Sequence, residues 1–440
     1  MSRSFHRISL IVLGLTLLSG CDQGRQSLPD TSVRVVNAAP SYASVSFRRE
    51  QSAPSELAYK NATDFTYDQD QYDFHIEVTT PGATSPLQTR SFPQEVVAEM
   101  NYTFVVTEVG GLIEPVILEY PALANNAAEA QIVALHAGAA LVPMDVYLER
   151  PGINVVTAIP RASLSFGQIL TPRMVPSGDY ELTLTAAGNP ANVLFASPTF
   201  SLSAAVSTVF VIVDEANQGV APLSVLLLGN APALLLDKNL PSALRVINGA
   251  TDTGARDVAI NSQFTPPLFA AVPFATASNY ELVPTGDNTV NVTPAGNPGV
   301  LELTQTLANP GGAKQTMLVT GDPGTLTHLL FPDDDRRIVN LAKLRILNGA
   351  RQFTLIDFFI IPTDSDINTF SPITSLAAPG GSSTFTIPPT TYDLVLRQSG
   401  TTTVLAGPQP IVLTAGGIFT VLATNGADAT TASIVLLDDF

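Results

Sequence analysis

Three stretches of the chain place chemically capable side chains at spacings that could serve a site. In "YDFHIEV", Asp73, His75 and Glu77 alternate with Tyr72, Phe74, Ile76 and Val78, so a strand would carry an acid, an imidazole and an acid along one face. Those residue types can ligate a metal. Neighbours on one strand face stand about 6.6 Å apart, however, and a second strand would have to complete the set. The alternation reads as the solvated outer face of a half-buried sheet, and no metal site is expected there. In "DSDIN", Asp364, Asp366 and Asn368 match the first, third and fifth positions of a calcium loop. Thr369 stands where that loop needs Gly and Ser375 where it needs a bidentate Glu, so the EF-hand pattern fails. A carboxylate also recurs at Asp145, Asp257 and Asp357, each opening a β-rich run: "DVYL", "DVAI" and "DFFI". For the last two copies the expected partners are Arg245 and Arg345 within the same unit. No G-x-S-x-G, H-E-x-x-H, phosphate-binding loop or cysteine pair occurs, so neither a catalytic residue nor a cofactor is expected.

The single cysteine of the 440 residues, Cys21, follows "MSRSFHRISLIVLGLTLLSG". Arg3 and Arg7 precede an apolar run from Ile8 to Leu18, and small residues lead to the cysteine, which is the layout of an export signal. The run is about half the roughly 20 residues of a membrane-spanning helix. "Leu18-Ser19-Gly20-Cys21" resembles the bacterial lipobox, which implies cleavage after residue 20 and acylation, palmitate included, of Cys21. The membrane is then the first expected partner, held through acyl chains. Asp22 leaves the inner membrane open, with the outer membrane or cell surface favoured. Residues 21–31 read as a polar tether.

Composition narrows the remaining partners. The formal charge is −17, apolar residues make up 45% and charged residues 13%, and lysine occurs only four times. An acidic surface of this kind repels polyanions, so no nucleic acid partner is expected. Without further cysteines the exported domains must stand on apolar cores.

The elements that position these residues repeat. "VRVVNA" from Val33, "IVALHA" from Ile132, "LRVING" from Leu244 and "LRILNG" from Leu344 are alternating strands of the half-buried kind, each reaching Asn37, His136, Asn248 or Asn348. "VPSGDYELTLTAAG", "VPTGDNTVNVTPAG" and "IPPTTYDLVLRQSG" set Tyr180, Asn288 and Tyr392 at one distance before Gly188, Gly296 and Gly400; Tyr72 and Gly82 are the looser first version. The tyrosine is expected at a sandwich corner, its hydroxyl bonded to backbone. Roughly 100 residues per copy, with about seven short strands, predict an all-β chain: a tandem array of about four immunoglobulin-like antiparallel β-sandwiches after the signal segment. The expected units are 32–124, 129–230, 241–332 and 340–440, with "DDDRR" (333–337) a solvated linker and the fourth unit able to fold alone.

The pattern "LRVINGA…DVAI…VPTGDNTVNVTPAG" resembles the 4397 family of domains of unknown function, found in exported bacterial proteins. The resemblance implies an immunoglobulin-like sandwich outside the cytoplasm and transfers no catalytic residue. The function expected is a lipid-anchored envelope protein acting as a non-enzymatic binding or adhesion module for envelope protein or glycan. A ligand-free structural spacer and a carbohydrate-active hydrolase are the alternatives.

Overall fold

Branched and aromatic residues in runs broken every few positions by Gly, Pro, Asn or Asp favour strands over helices. Strands form throughout the computed structural model, which describes residues 31–440 apart from 81–84, 125–126, 216–221, 253, 378–379 and 439–440. Among the described residues there is no α-helix; Val155–Thr157 and Ile367–Thr369 are single 3₁₀ turns. No described helix is long and apolar enough to cross a membrane. The signal segment and Cys21 lie outside the described residues.

Four copies of one eight-stranded arrangement follow one another. In the third unit one sheet holds Glu281–Val283, Ser242–Ala250, Lys314–Gly321 and Thr327–Pro332, in that order. The facing sheet holds Phe269–Val272, Arg256–Ile260, Gly286–Pro294 and Leu303–Asn309. Numbered along a unit, the fourth, first, seventh and eighth strands thus oppose the third, second, fifth and sixth. All neighbours run antiparallel except the first and seventh, whose parallel pairing recurs in every unit. The second unit adds Phe200–Leu202 and Ala233–Leu235. The count is eight rather than about seven because both closing runs join the sheet of the first strand.

The first strands differ from their expected half-buried character. Ser242–Ala250 is buried along its whole length. Leu244 and Val246 enter the core of their own sandwich, whereas Ile247 points the other way and meets Leu347 and Leu422 of the fourth unit, together with Leu318. Units one and two do the same: Val36, Val105 and Leu118 pack on Val133, Leu135, Val211 and Leu226. Apolar side chains at both parities of "VRVV", "IVAL", "LRVI" and "LRIL" are the reason, since a strand apolar on both faces needs two cores. The four sandwiches therefore form two back-to-back pairs.

The acidic run is not a solvated linker either. The side chains of Asp333 and Asp335 are 4% and 8% exposed. The following residues fold back onto the first unit: Arg336 donates to the carbonyls of Pro40 (3.1 Å) and Tyr42 (3.3 Å), and the Val339 amide donates to the Ser41 carbonyl (3.1 Å).

Candidate functional site

Each recurrent polar residue is engaged in holding the frame. Asn37, Asn248 and Asn348, all fully buried, donate through Nδ2 to the carbonyls of Leu57, Val272 and Leu376. Their Oδ1 atoms accept from the amides of Ala39, Ala250 and Ala350, fixing the turn after the first strand. His136, which replaces Asn in the second unit, reaches the Val142 carbonyl through Nε2 (3.1 Å). The tyrosine corner forms as expected. Tyr72, Tyr180 and Tyr392 donate to the carbonyls of Asp68, Pro176 and Pro388, four residues upstream in each case. Asn288 makes the same bond to Pro284 (2.6 Å), so the substitution preserves the contact.

Two of the three recurrent aspartates bind a glycine turn, and neither Asp257 nor Asp357 pairs with the arginine expected of it. Asp145 and Asp257 accept from the amides of Gly188 (2.7 Å) and Gly296 (2.8 Å), and Asp257 also accepts from Ala271. Gly188 and Gly296 have φ of 72° and 74°, a left-handed conformation that glycine adopts without strain, which explains the shared glycine. Asp357 accepts from the Ser375 hydroxyl. The expected Arg245–Asp257 and Arg345–Asp357 pairs are excluded by parity. Arg245 and Arg345 share the outward face of the first strands with Ile247 and Leu347, while the aspartates sit on the opposite sheet. Arg245 instead donates to Thr316 and lies over the Tyr280 ring, and Arg345 pairs with Asp333.

His75 occupies the outer face, as its alternation predicts, with Tyr72, Phe74, Ile76 and Val78 buried behind it. Its Nδ1 lies 2.7 Å from Ser91 Oγ, and Glu77 pairs with Arg48 at 3.1 Å. In the "DSDIN" stretch Asp366 caps the 3₁₀ turn by accepting from the Asn368 amide, and Asn368 Oδ1 accepts from Arg397. Among the described residues no group of three or more metal-ligating side chains converges.

Two polar clusters escaped the sequence reading. Arg256, 2% exposed, pairs with Glu302 at 2.6 Å and with Asp252 at 2.8 Å inside the third unit. The signal was present: Arg256 has the inward parity of Val258 and Ile260, so a cation had to be buried and paired. The second cluster surrounds the acidic run. Lys314 pairs with Asp335 (2.7 Å), Arg345 with Asp333, and Asp334 receives both Arg336 (2.7 Å) and Lys343 (3.3 Å). Arg336 also stacks over the ring of Tyr59, whose neighbour Lys60 pairs with Glu215. Three of the four lysines thus meet in one junction, beside a cavity of about 350 Å³ bounded by units one, two and three. Burial pushes the Lys343 ammonium down to about 8 despite Asp334. Burial alone would raise the Asp334 carboxyl, but Arg336 and Lys343 hold it at about 2. These charges neutralise one another around the cavity, which suits a structural joint more than acid–base work.

The fold and these contacts define a class: repeated β-sandwiches whose recurring polar residues are architectural. Residues 242–359 match the model of DUF4397, a domain of unknown function, the family that the sequence resembles. The match covers the third unit and the first strands of the fourth. No curated protein matches the chain. Among solved structures, the chain is similar to CBMbc (family CBM26) from Eubacterium rectale Amy13K in complex with maltoheptaose. The identity is 11% and the TM-score 0.17, over 45% of this chain and 97% of that one.

Proposed function

We propose that this chain is a lipid-anchored, non-enzymatic binding module of the bacterial cell envelope, tethered through Cys21 and recognising a protein or glycan with its loops. The observation that carries this reading is the contrast between frame and loops. Strand order, turn aspartates, corner bonds and buried asparagines recur, whereas the link from second to third strand differs in every unit. It spans 50–54 in the first, 150–161 in the second, 261–268 in the third and 363–373 in the fourth. A constant frame presenting unlike loops is the usual arrangement of a recognition scaffold. In the third unit this loop borders a cleft of about 210 Å³ lined by Gln263, Leu268 and Leu282. Leu282 is 61% exposed there, giving an apolar floor beside an amide, a surface that suits a sugar ring or an extended peptide. A pure spacer would gain reach from units strung end to end, and the back-to-back pairs work against that.

The test is proximity labelling from the intact protein in its native cell, with a panel of envelope glycans probed on purified residues 22–440. A partner labelled or bound by the wild type and lost with Leu282→Asp or with 363–373 replaced by a short turn supports the proposal. Labelling and glycan binding that ignore both changes would refute recognition by the loops.

A further inference from the structure

We infer that the 150–161 loop of the second unit is a membrane-contacting element that dips into the lipid interface beside the N-terminal anchor. This rests on the lipid-anchored reading and adds a second contact to it. The loop exposes Ile153 and Val156, each 53%, and Ile159 at 83%. It packs along Asn189–Ala196, where Val193 is a further exposed apolar side chain.

Part of its backbone is satisfied within the loop. The Ile153 amide donates to the Arg150 carbonyl, Thr157 to Asn154 and Ala158 to Val155. Asn154 Oδ1 also accepts from the Val156 amide. These internal bonds lower the cost of carrying the turn at 154–158 into a region poor in water. Its charge also fits: the loop between Arg150 and Arg161 carries no charged side chain, and the Arg161 that closes it pairs with Glu149 at 3.3 Å. Basic residues flanking an apolar tip suit the headgroup layer of an anionic bilayer.

Position supplies the decisive argument. Arg150 donates to the carbonyls of Pro176, Ser177 and Asp179, and Pro176 pairs with Glu129 at the start of the first strand of that unit. The Glu129 carbonyl accepts from the Ala205 amide, and Ala205 lines one cavity with Ser32 and Asn101. The loop and the point where the N-terminal segment enters at Thr31 are therefore at the same end of the first pair. Ten residues from Cys21 to Asp30 reach at most about 35 Å, which keeps that end next to the bilayer.

The test couples purified residues 21–440 through the Cys21 thiol to a maleimide lipid in phosphatidylethanolamine–phosphatidylglycerol vesicles. The chain has no tryptophan, so Val156→Trp, or Ile153→Trp should the first fold poorly, is a clean reporter. The expected result is a blue-shifted emission quenched about twofold by bromine-labelled acyl chains, and abolished by adding Ile159→Asp. Flotation of uncoupled residues 22–440 should fall about tenfold with Ile159→Asp. Emission unchanged by vesicles would overturn the inference. So would a reporter buried only as protein concentration rises without lipid, which would show a second copy on the loop. The coupling is chemical, so absence of lipid on Cys21 in cells would sink the anchor and leave the vesicle result standing.

Discussion

Replacing Lys343 by methionine should remove a pH-dependent penalty rather than a needed bond. The Lys343 side chain is 7% exposed, and burial lowers its pKa from 10.5 to about 8. Between those values the unfolded chain holds a proton that the folded chain has released, so stability rises with pH through that window. From pH 7 to pH 9.5 the gain is about 2 kcal/mol, at about 1.4 kcal/mol per pKa unit. Methionine keeps the length and apolar stem, and Asp334, half exposed, retains Arg336. At pH 7 Lys343→Met should therefore be neutral or stabilising by about 1–2 kcal/mol, and that advantage should vanish by pH 9.5. Urea unfolding of residues 22–440 at half-unit pH steps, wild type against variant, reads the difference directly. Two curves that stay parallel from pH 7 to 9.5 would refute the reasoning, as would a variant several kcal/mol less stable at pH 7.

Glu302→Gln leaves the Arg256 charge buried with only Asp252, and should cost about 3 kcal/mol in denaturant unfolding. Asp257→Ala strips the acceptor from the Gly296 and Ala271 amides and should cost about 2 kcal/mol, with amide exchange quickening first at Gly296. Excised residues 340–440 expose Leu347 and Leu422, so they should self-associate in sedimentation while 241–440 stays monodisperse. Cys21→Ala should abolish labelling by a palmitate analogue and release the protein from membranes on cell fractionation.

The sheet content and the corner bonds were legible because they depend on local alternation and on a spacing of four residues. The role of the repeated Asp was not, since a carboxylate next to an alternating strand reads equally as a charge partner or a turn cap. Only the parity of Arg245, set by which face of its strand meets another unit, separates the two. The back-to-back pairing was written in the first strands: "LRVI" is apolar at Leu244, Val246 and Ile247. Alternation alone gave it one core, whereas both parities together ask for two. For the acidic run, the sequence shows three aspartates and hides the cations. Lys314 reaches it across the closing hairpin of unit three, and Lys343 and Arg345 reach it from the first strand of unit four. The loops are legible only as departures from the repeat, and their exposed side chains follow from the frame that carries them.

The parallel pairing of first and seventh strands, joined to the shared face between units, constrains how such a chain can grow or shrink over generations. Duplicating or deleting a single unit, even at a clean boundary, would leave one first-strand sheet with an uncovered apolar face. That product would be sticky although every sandwich in it was intact. Gains and losses of two neighbouring units leave every face covered. Viable relatives built on this plan should therefore carry even numbers of copies, or an end unit whose first strand has exchanged Ile247-like positions for polar ones.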